Sequence, residues 1–325
     1  MSTPHPSPPA APVPDPVIPA PRALAEILEA GMLAKATTPV GRMFLLSLTG
    51  GAYVALGFVF MVTSQQGMSE WPVGITKVLG GLVFSVGLGL VVISGSDLFT
   101  GTTMTSVPWL SKRISTAQLL RHWSISFLGN LTGAAAVVVM VFLGGTHGSN
   151  ESAWGLVVLN ITQAKVTLDW HQAFFLGILA NFAVCLAVWV ATAGRTVTDK
   201  VLGVAGPLAL FVASGFEHSV ANMFMLPMGL IIKYGAGQGF WSGQALADAG
   251  VDIDSFAAIT PGAALWDNMV PVTLGNIVGG AVLVGAYFWA AYRRDDVKAE
   301  KAEKAEKAEK AGQADQVRQA GPPTR

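Results

Sequence analysis

Six long apolar runs separated by short polar links dominate the chain. They fall near 43–64, 77–106, 118–145, 171–193, 200–231 and 269–292, and each is long enough to cross a hydrocarbon core as a helix, which takes roughly 20 residues. The pattern predicts an all-α membrane protein with six transmembrane helices over 43–292. Ahead of the first run, Leu24, Ile27, Leu28 and Met32 recur at helical spacing, with Glu26, Glu29 and Lys35 elsewhere around the turn. This predicts an amphipathic N-terminal helix within 22–42, lying at the membrane interface or against the bundle. Residues 1–21 hold nine of the 18 prolines and no apolar run, so they read as a disordered extension rather than a cleavable signal.

The charges sharpen this picture. Only 12% of the 325 residues are charged, with 20 basic and 20 acidic side chains, about half the density of an average soluble domain. Arg293 to Arg325 alone carries 16 of them, and 18 fall between 43 and 292. A core so poor in charge cannot present a solvated surface on all sides and must face lipid. The zero net charge and the lack of a basic patch argue against nucleic-acid binding. The lone Cys185 excludes an internal disulfide and a cysteine-based zinc site. Basic residues gather in three places: Lys112, Arg113 and Arg121; Arg195 and Lys200; Arg293 and Arg294. The positive-inside bias therefore places both termini in the cytoplasm and makes 293–325 a charged cytoplasmic tail. Its four Lys-Ala-Glu repeats describe a solvated helix or a disordered tail with no part in transport.

The apolar core also repeats. Ser94-Gly95-Ser96-Asp97 in the second run matches Ser214-Gly215-Phe216-Glu217 in the fifth, and Gly129-Asn130-Leu131-Thr132-Gly133 in the third matches Gly275-Asn276-Ile277-Val278-Gly279 in the sixth. Two signatures in the same order predict a duplication of three spans each, and an odd number of spans forces the copies into opposite orientations. The second and fifth spans are each interrupted near mid-membrane. Irregular backbone at that depth is tolerated where it is buried in protein or lines a water-filled path, and a pore between the two breaks meets that condition.

Asp97, Glu217 and His218 are the ionisable residues deep inside spans, where such residues are functional by default. For the two acids the structural reading is the stronger: each sits where a helix breaks and can accept hydrogen bonds from freed backbone N–H groups. His218 has a titratable ring among apolar neighbours. It either meets a small anion at a constriction or serves as a hydrogen-bonded core histidine that fixes packing. Lys165, before the fourth span, either draws anions to an outer mouth or is an ordinary loop lysine. His122, His147 and His171 lie near span ends or in loops without ligand spacing, so no metal site or other cofactor is expected.

These motifs together resemble the formate/nitrite transporter family. The resemblance covers roughly residues 30–292 and is carried by LGGLVFSVGLGLVVISGSDLFTGTTM (79–104), NFAVCLAVW (181–189), FVASGFEHSVANMFMLPMG (211–229) and NMVPVTLGNIVGGAVLVG (268–285). It implies an aquaporin-like protomer of two inverted three-helix repeats, with broken second and fifth helices. It further implies a homopentamer in the cell membrane with one pore per protomer, passing small monovalent anions in a proton-dependent way. Carried over residue by residue, it places Leu88, Leu98 and Phe84 at a cytoplasmic-side slit and Phe211 at a periplasmic-side slit. His218 is then the central pore residue with Thr100 as its hydrogen-bonding partner, Asn181 and Phe99 lie further along the substrate pathway, and Lys165 lures anions into the outer vestibule. Asp97, Glu217 and Asn222 fall at the helix breaks as structural residues. Phe216 and the segment after His218 look like the formate channels, whereas Gly101 looks like the nitrite branch. Formate is the expected permeant and nitrite or hydrosulfide the alternative.

Two other classes fit less well. A neutral-solute channel of aquaporin type would start its half-helices with paired Asn-Pro-Ala, which the sequence lacks. A membrane enzyme built on Glu217 and His218 would need a nucleophile or metal ligands converging on the pair. Ser219 is adjacent, but no second histidine or cysteine is expected there, so no enzyme activity is expected.

Overall fold

The computed structural model describes residues 18–319, and the proline-rich stretch up to residue 17 lies outside them. An N-terminal helix α1 (Pro21–Ala36) leads into α2 (Val40–Gln65) and α3 (Val73–Ser94). After a break come the short helices α4 (Phe99–Thr102) and α5 (Ser106–Leu110), and then α6 (Thr116–Leu143). The order then repeats with α7 (Ala153–Val166), α8 (Trp170–Ala193), α9 (Val197–Ala213), a second break and α10 (Ser219–Gly235). Two short helices, α11 (Gln238–Trp241) and α12 (Gln244–Ala249), bury Phe240 and Leu246. The last helix runs without a break from Ala263 through α13 (Val270–Ile277) into the charged α14 (Arg294–Gln319). It begins six residues before the expected boundary, in wide π-type turns over Ala263–Met269.

Among the described residues, five helices are long and apolar enough to cross a membrane: α2, α3, α6, α8 and the last. The fifth expected span is divided at the second break into α9 and α10, of 17 residues each. Each half stops where the sequence forces it to. Gly95 closes α3 at φ 72° and Gly215 follows α9 at φ 69°, a left-handed conformation that glycine adopts without steric cost. Helix α6 starts on a capping box in which Gln118 N–H donates to Ser115 Oγ and Ser115 N–H donates to Gln118 Oε1.

The two halves are built alike. In the first, α2 packs along α6; in the second, α8 packs along α13. Glycines allow the backbones to touch: a Cβ on Gly133 would run into the Leu48 carbonyl, and one on Gly279 into the carbonyl of Ile178. The helix expected at the interface or against the bundle lies against the bundle, burying Leu24, Ala25, Leu28 and Met32. It occupies in the first half the place that α7 occupies in the second, so each repeat has a helix ahead of its three spans. At the same end Arg293 donates to Glu29 (2.6 Å) and Glu26 (3.1 Å), Arg113 pairs with Glu29 (3.2 Å) and Glu300, and Arg22 pairs with Asp296. These contacts tie α1 to the start of the charged tail, which continues the last span as a helix. Large apolar side chains such as Leu45, Leu128, Met140, Leu202 and Leu210 point outward, the arrangement a lipid-facing surface requires.

Candidate functional site

Each break frees backbone groups that water cannot reach, and one asparagine in each half satisfies them. Asn130 Oδ1 accepts from Phe99 N–H (2.7 Å), while its Nδ2 donates to the carbonyls of Ser47 (2.6 Å) and Asp97 (2.8 Å). Asn276 does the same in the second half. Its Oδ1 accepts from Ser219 N–H (2.8 Å), and its Nδ2 donates to Gly177 O (2.7 Å) and Glu217 O (3.0 Å). Asp97 N–H reaches Leu46 O and Glu217 N–H reaches Leu176 O. The matched glycine-asparagine signatures are thus the struts of the two breaks, a role their repetition alone did not reveal.

The two acids are each held by a lysine from the helix that leads its repeat. Lys35 Nζ of α1 lies 2.5 Å from Asp97 Oδ1 and also donates to the carbonyls of Gly95 and Ser96. Lys165 Nζ of α7 lies 2.7 Å from Glu217 Oε1, with both side chains largely buried. Glu217 Oε2 accepts from Asn222 Nδ2 (2.8 Å) and Asn268 Nδ2 (3.1 Å). Lys165 is therefore paired, and the structural residues Glu217 and Asn222 touch. Lys35 and Asn268 were not singled out in the sequence. Their partners lie 62 and 51 positions away, beyond any local pattern.

His218 caps α10: its Nδ1 accepts from Ala221 N–H (3.1 Å), and its Nε2 lies 2.9 Å from Thr100 Oγ1 at the start of the opposing half-helix. A backbone donor on Nδ1 leaves the ring proton on Nε2, so the neutral ring donates to Thr100. By the register of the repeats His218 stands where Leu98 stands in the first half. The duplication is broken at the very position where it becomes polar.

Three cavities line up through this point. One of about 320 Å³ opens beside α1 and is lined by Lys35, Lys200, Leu88, Leu98 and Gly101 among others. One of about 310 Å³ opens beside α7 and is lined by Lys77, Lys165, Glu217, Phe211 and His218 among others. Between them lies a chamber of about 10 Å³, room for roughly one water, walled by Val54, Phe84, Leu88, Leu98, Val184, Leu208, Phe211 and His218. Leu88 and Leu98 separate it from the α1-side cavity, and Phe211 and His218 from the α7-side cavity.

Phe84, Phe99 and Asn181 differ in what they face. Phe84 borders the chamber but not the α1-side cavity, and stacks edge-on against Phe58 and Phe211 at centroid distances of 4.9 and 5.9 Å. Phe99 turns away to meet Phe127 edge-on at 5.2 Å and lines none of the three cavities, because α4 faces α6 on that side. Asn181 is fully buried, donating to Thr100 O, Thr103 Oγ1 and Asn276 O, and so holds the first half-helix in place. His122, read as lying near a span end, is fully buried beside Asp97. Among the described residues, no group of three or more His, Cys, Asp or Glu side chains converges to hold a metal ion.

The family profile described as "Formate/nitrite transporter" matches residues 22–290. The chain belongs to the formate/nitrite transporter family. Its relatives within that family include the formate channel FocA of Escherichia coli K12, 41% identical over 276 residues, which are 85% of this chain and 95% of that protein. FocA of Haemophilus influenzae is 44% identical over 244 residues, 75% of this chain and 84% of that protein. Among solved structures, a pentameric formate channel with formate bound matches with a TM-score of 0.73 at 41% identity, covering 78% of this chain and 97% of that one. The six-helix, twofold-repeated bundle is therefore that of this family of membrane transporters, and the chain is an anion channel or transporter of the formate/nitrite type.

Proposed function

We propose that this protein passes formate through a pore that runs from the α1-side cavity to the α7-side cavity of each protomer in a homopentamer. The observation that carries the reading is the apolar chamber with a single polar edge, His218 backed by Thr100, between two cavities each lined by two lysines. Paired lysines at each mouth, each pair opposed by one carboxylate, leave both mouths net positive. This gathers monovalent anions and disfavours cations.

Positive-inside bias assigns the α1 side, with Lys112, Arg113, Arg195, Lys200 and Arg293, to the cytoplasm, and with it both termini. Entering the chamber, an anion loses most of its water, which is expensive in an apolar wall. The Nε2–H of His218 and the Thr100 hydroxyl offer replacement hydrogen bonds at that point. Protonating Nδ1 would displace the Ala221 N–H and open the first turn of α10, so a second proton on the ring is coupled to the start of the helix. A doubly protonated ring can hand a proton to a weak-acid anion, which then leaves as the neutral acid. The solute crosses unchanged, so the reading is transport and not catalysis.

The formate channels among the relatives favour formate, while Gly101 at the α1-side cavity keeps nitrite as the alternative. The test is side-by-side flux of formate, nitrite and hydrosulfide into proteoliposomes over a pH series. Formate is expected to be fastest. A faster nitrite flux would favour the alternative, and a chemically altered product would overturn transport altogether.

A further inference from the structure

The two lysines at each mouth differ in what holds them. One belongs to the helix ahead of a repeat and is bound at the break: Lys35 to Asp97 on the α1 side, Lys165 to Glu217 on the α7 side. The other stands near the start of the broken span of the opposite repeat. Lys77, near the start of α3, lines the α7-side cavity, and Lys200, near the start of α9, lines the α1-side cavity. Lys77 precedes Asp97 by 20 residues and Lys200 precedes Glu217 by 17, so the two positions differ in register by about one helical turn. Because the repeats are inverted, each end of the molecule receives one lysine of each kind.

A lysine in contact with a carboxylate adds no net charge to its mouth, and the field of such a pair fades within a few ångströms. Lys77 and Lys200 are the opposite case. Among the described residues neither makes a hydrogen bond or an ion pair; Lys77 is exposed and Lys200 half-buried. No acid lines the α1-side cavity, and Glu217, held by Lys165, is the one acid lining the α7-side cavity. The acids closest to them in sequence stay off the path. Asp199 caps α9 by accepting from the Arg195 and Thr196 N–H groups, and neither it nor Glu70, in the link ahead of α3, lines a cavity.

We propose that Lys77 and Lys200 capture the anion at the two mouths, while Lys35 and Lys165 serve to lock the breaks. An ammonium without a counter-ion at the rim of an apolar-walled cavity holds one monovalent anion through charge-assisted hydrogen bonds. On the α7 side Lys77 and His218 line the same cavity, so a captured anion is already in the compartment that the ring borders. On the α1 side Lys200 shares its cavity with Leu88 and Leu98, the side chains that close the chamber there.

This assignment rests on the formate-transport reading, and its tests separate the two. Full-length protein is reconstituted with the α7 face outward, an orientation checked by protection of the charged tail from external protease. Uptake then reads Lys77, and efflux from loaded vesicles reads Lys200. At low salt, Lys77→Gln is expected to raise the formate concentration for half-maximal uptake about threefold with the maximal rate unchanged, and Lys77→Glu about tenfold, the size of effect one charge has on local anion concentration at such a mouth. Lys77→Arg keeps the charge and is expected to keep the wild-type value. Lys200→Gln is expected to shift efflux as Lys77→Gln shifts uptake. Both shifts should vanish in about 1 M sodium gluconate on both sides, where the screening length is about 3 Å. Unchanged half-saturation in both glutamine variants, a shift that survives the salt, or a fall in maximal rate alone overturns the proposal. Independently of transport, the lysines are dimethylated with ¹³C-formaldehyde, which keeps their charge, and the Lys77 and Lys200 signals are assigned by their loss in Lys77→Arg and Lys200→Arg. On adding formate at low salt both are expected to shift more than the signals of the tail lysines. Shifts no larger than those of the tail overturn the proposal as well. If the wild type moves no formate, the functional reading fails, and the amine signals alone decide the capture.

Discussion

Removing one partner of the Lys165–Glu217 pair tests whether these residues lock the second break. The ion pair is short at 2.7 Å, and the side chains are only 12% and 5% exposed. Truncating Lys165 to Ala leaves a buried carboxylate without its counter-ion, a change that costs about 3–5 kcal/mol. The amides of Asn222 and Asn268 still donate to Glu217 Oε2, which places the expected loss at the low end, about 3 kcal/mol. Glu217→Gln removes the charge instead and leaves Lys165 facing the α7-side cavity, where water reaches it, so about 1–2 kcal/mol is expected. The double variant holds no unpaired charge. It is expected to be more stable than the two losses summed would make it, by about 1.5 kcal/mol or more. Denaturant unfolding of the purified protein in one detergent, run for all four proteins, measures the coupling. Single-variant losses that add within about 0.5 kcal/mol would refute the lock, since independent sites behave in that way.

Two further outcomes follow from the struts and the close helix contacts. Asn276→Ala strands the Ser219 N–H and the carbonyls of Gly177 and Glu217. A loss of about 3 kcal/mol or more is expected in the same unfolding assay, and flux should fall with it because α10 carries His218. Gly279→Leu drives a side chain into the Ile178 carbonyl; poor assembly in size-exclusion chromatography is expected, while Gly67→Leu, in a loop where nothing crowds the added Cβ, should suffer only the strain of its positive φ.

Much of the transport core is legible in the sequence because its causes are local. Apolar runs set the spans, Gly95 and Gly215 set the breaks, and the twice-repeated signatures expose the duplication. Span limits shift where the cause is tertiary. The last helix starts early, at Ala263, because its first turns place Asn268 against Glu217. Helix α7 is short and carries Lys165 in its last turn, so it reads as a loop until its match to α1 is seen. What sequence reasoning missed is mostly pairing across long separations: Lys35 with Asp97, Asn130 with three backbone groups, and His122 with the same acid. Phe99 shows the opposite failure. It sits within a motif that carries the family resemblance, yet its ring packs on Phe127 away from the cavities, a direction set by the facing helix and not by its own neighbours.

The central claim is that His218 meets the permeant anion and confers the pH dependence. His218→Asn tests it most directly, because asparagine also caps a helix and can accept from Ala221 N–H, leaving the break intact while removing the titratable ring. Formate flux through proteoliposomes is measured for both proteins from about pH 5 to 8. The account predicts that the variant assembles normally but loses the pH dependence of the wild type. An unchanged rate with an unchanged pH profile would contradict it.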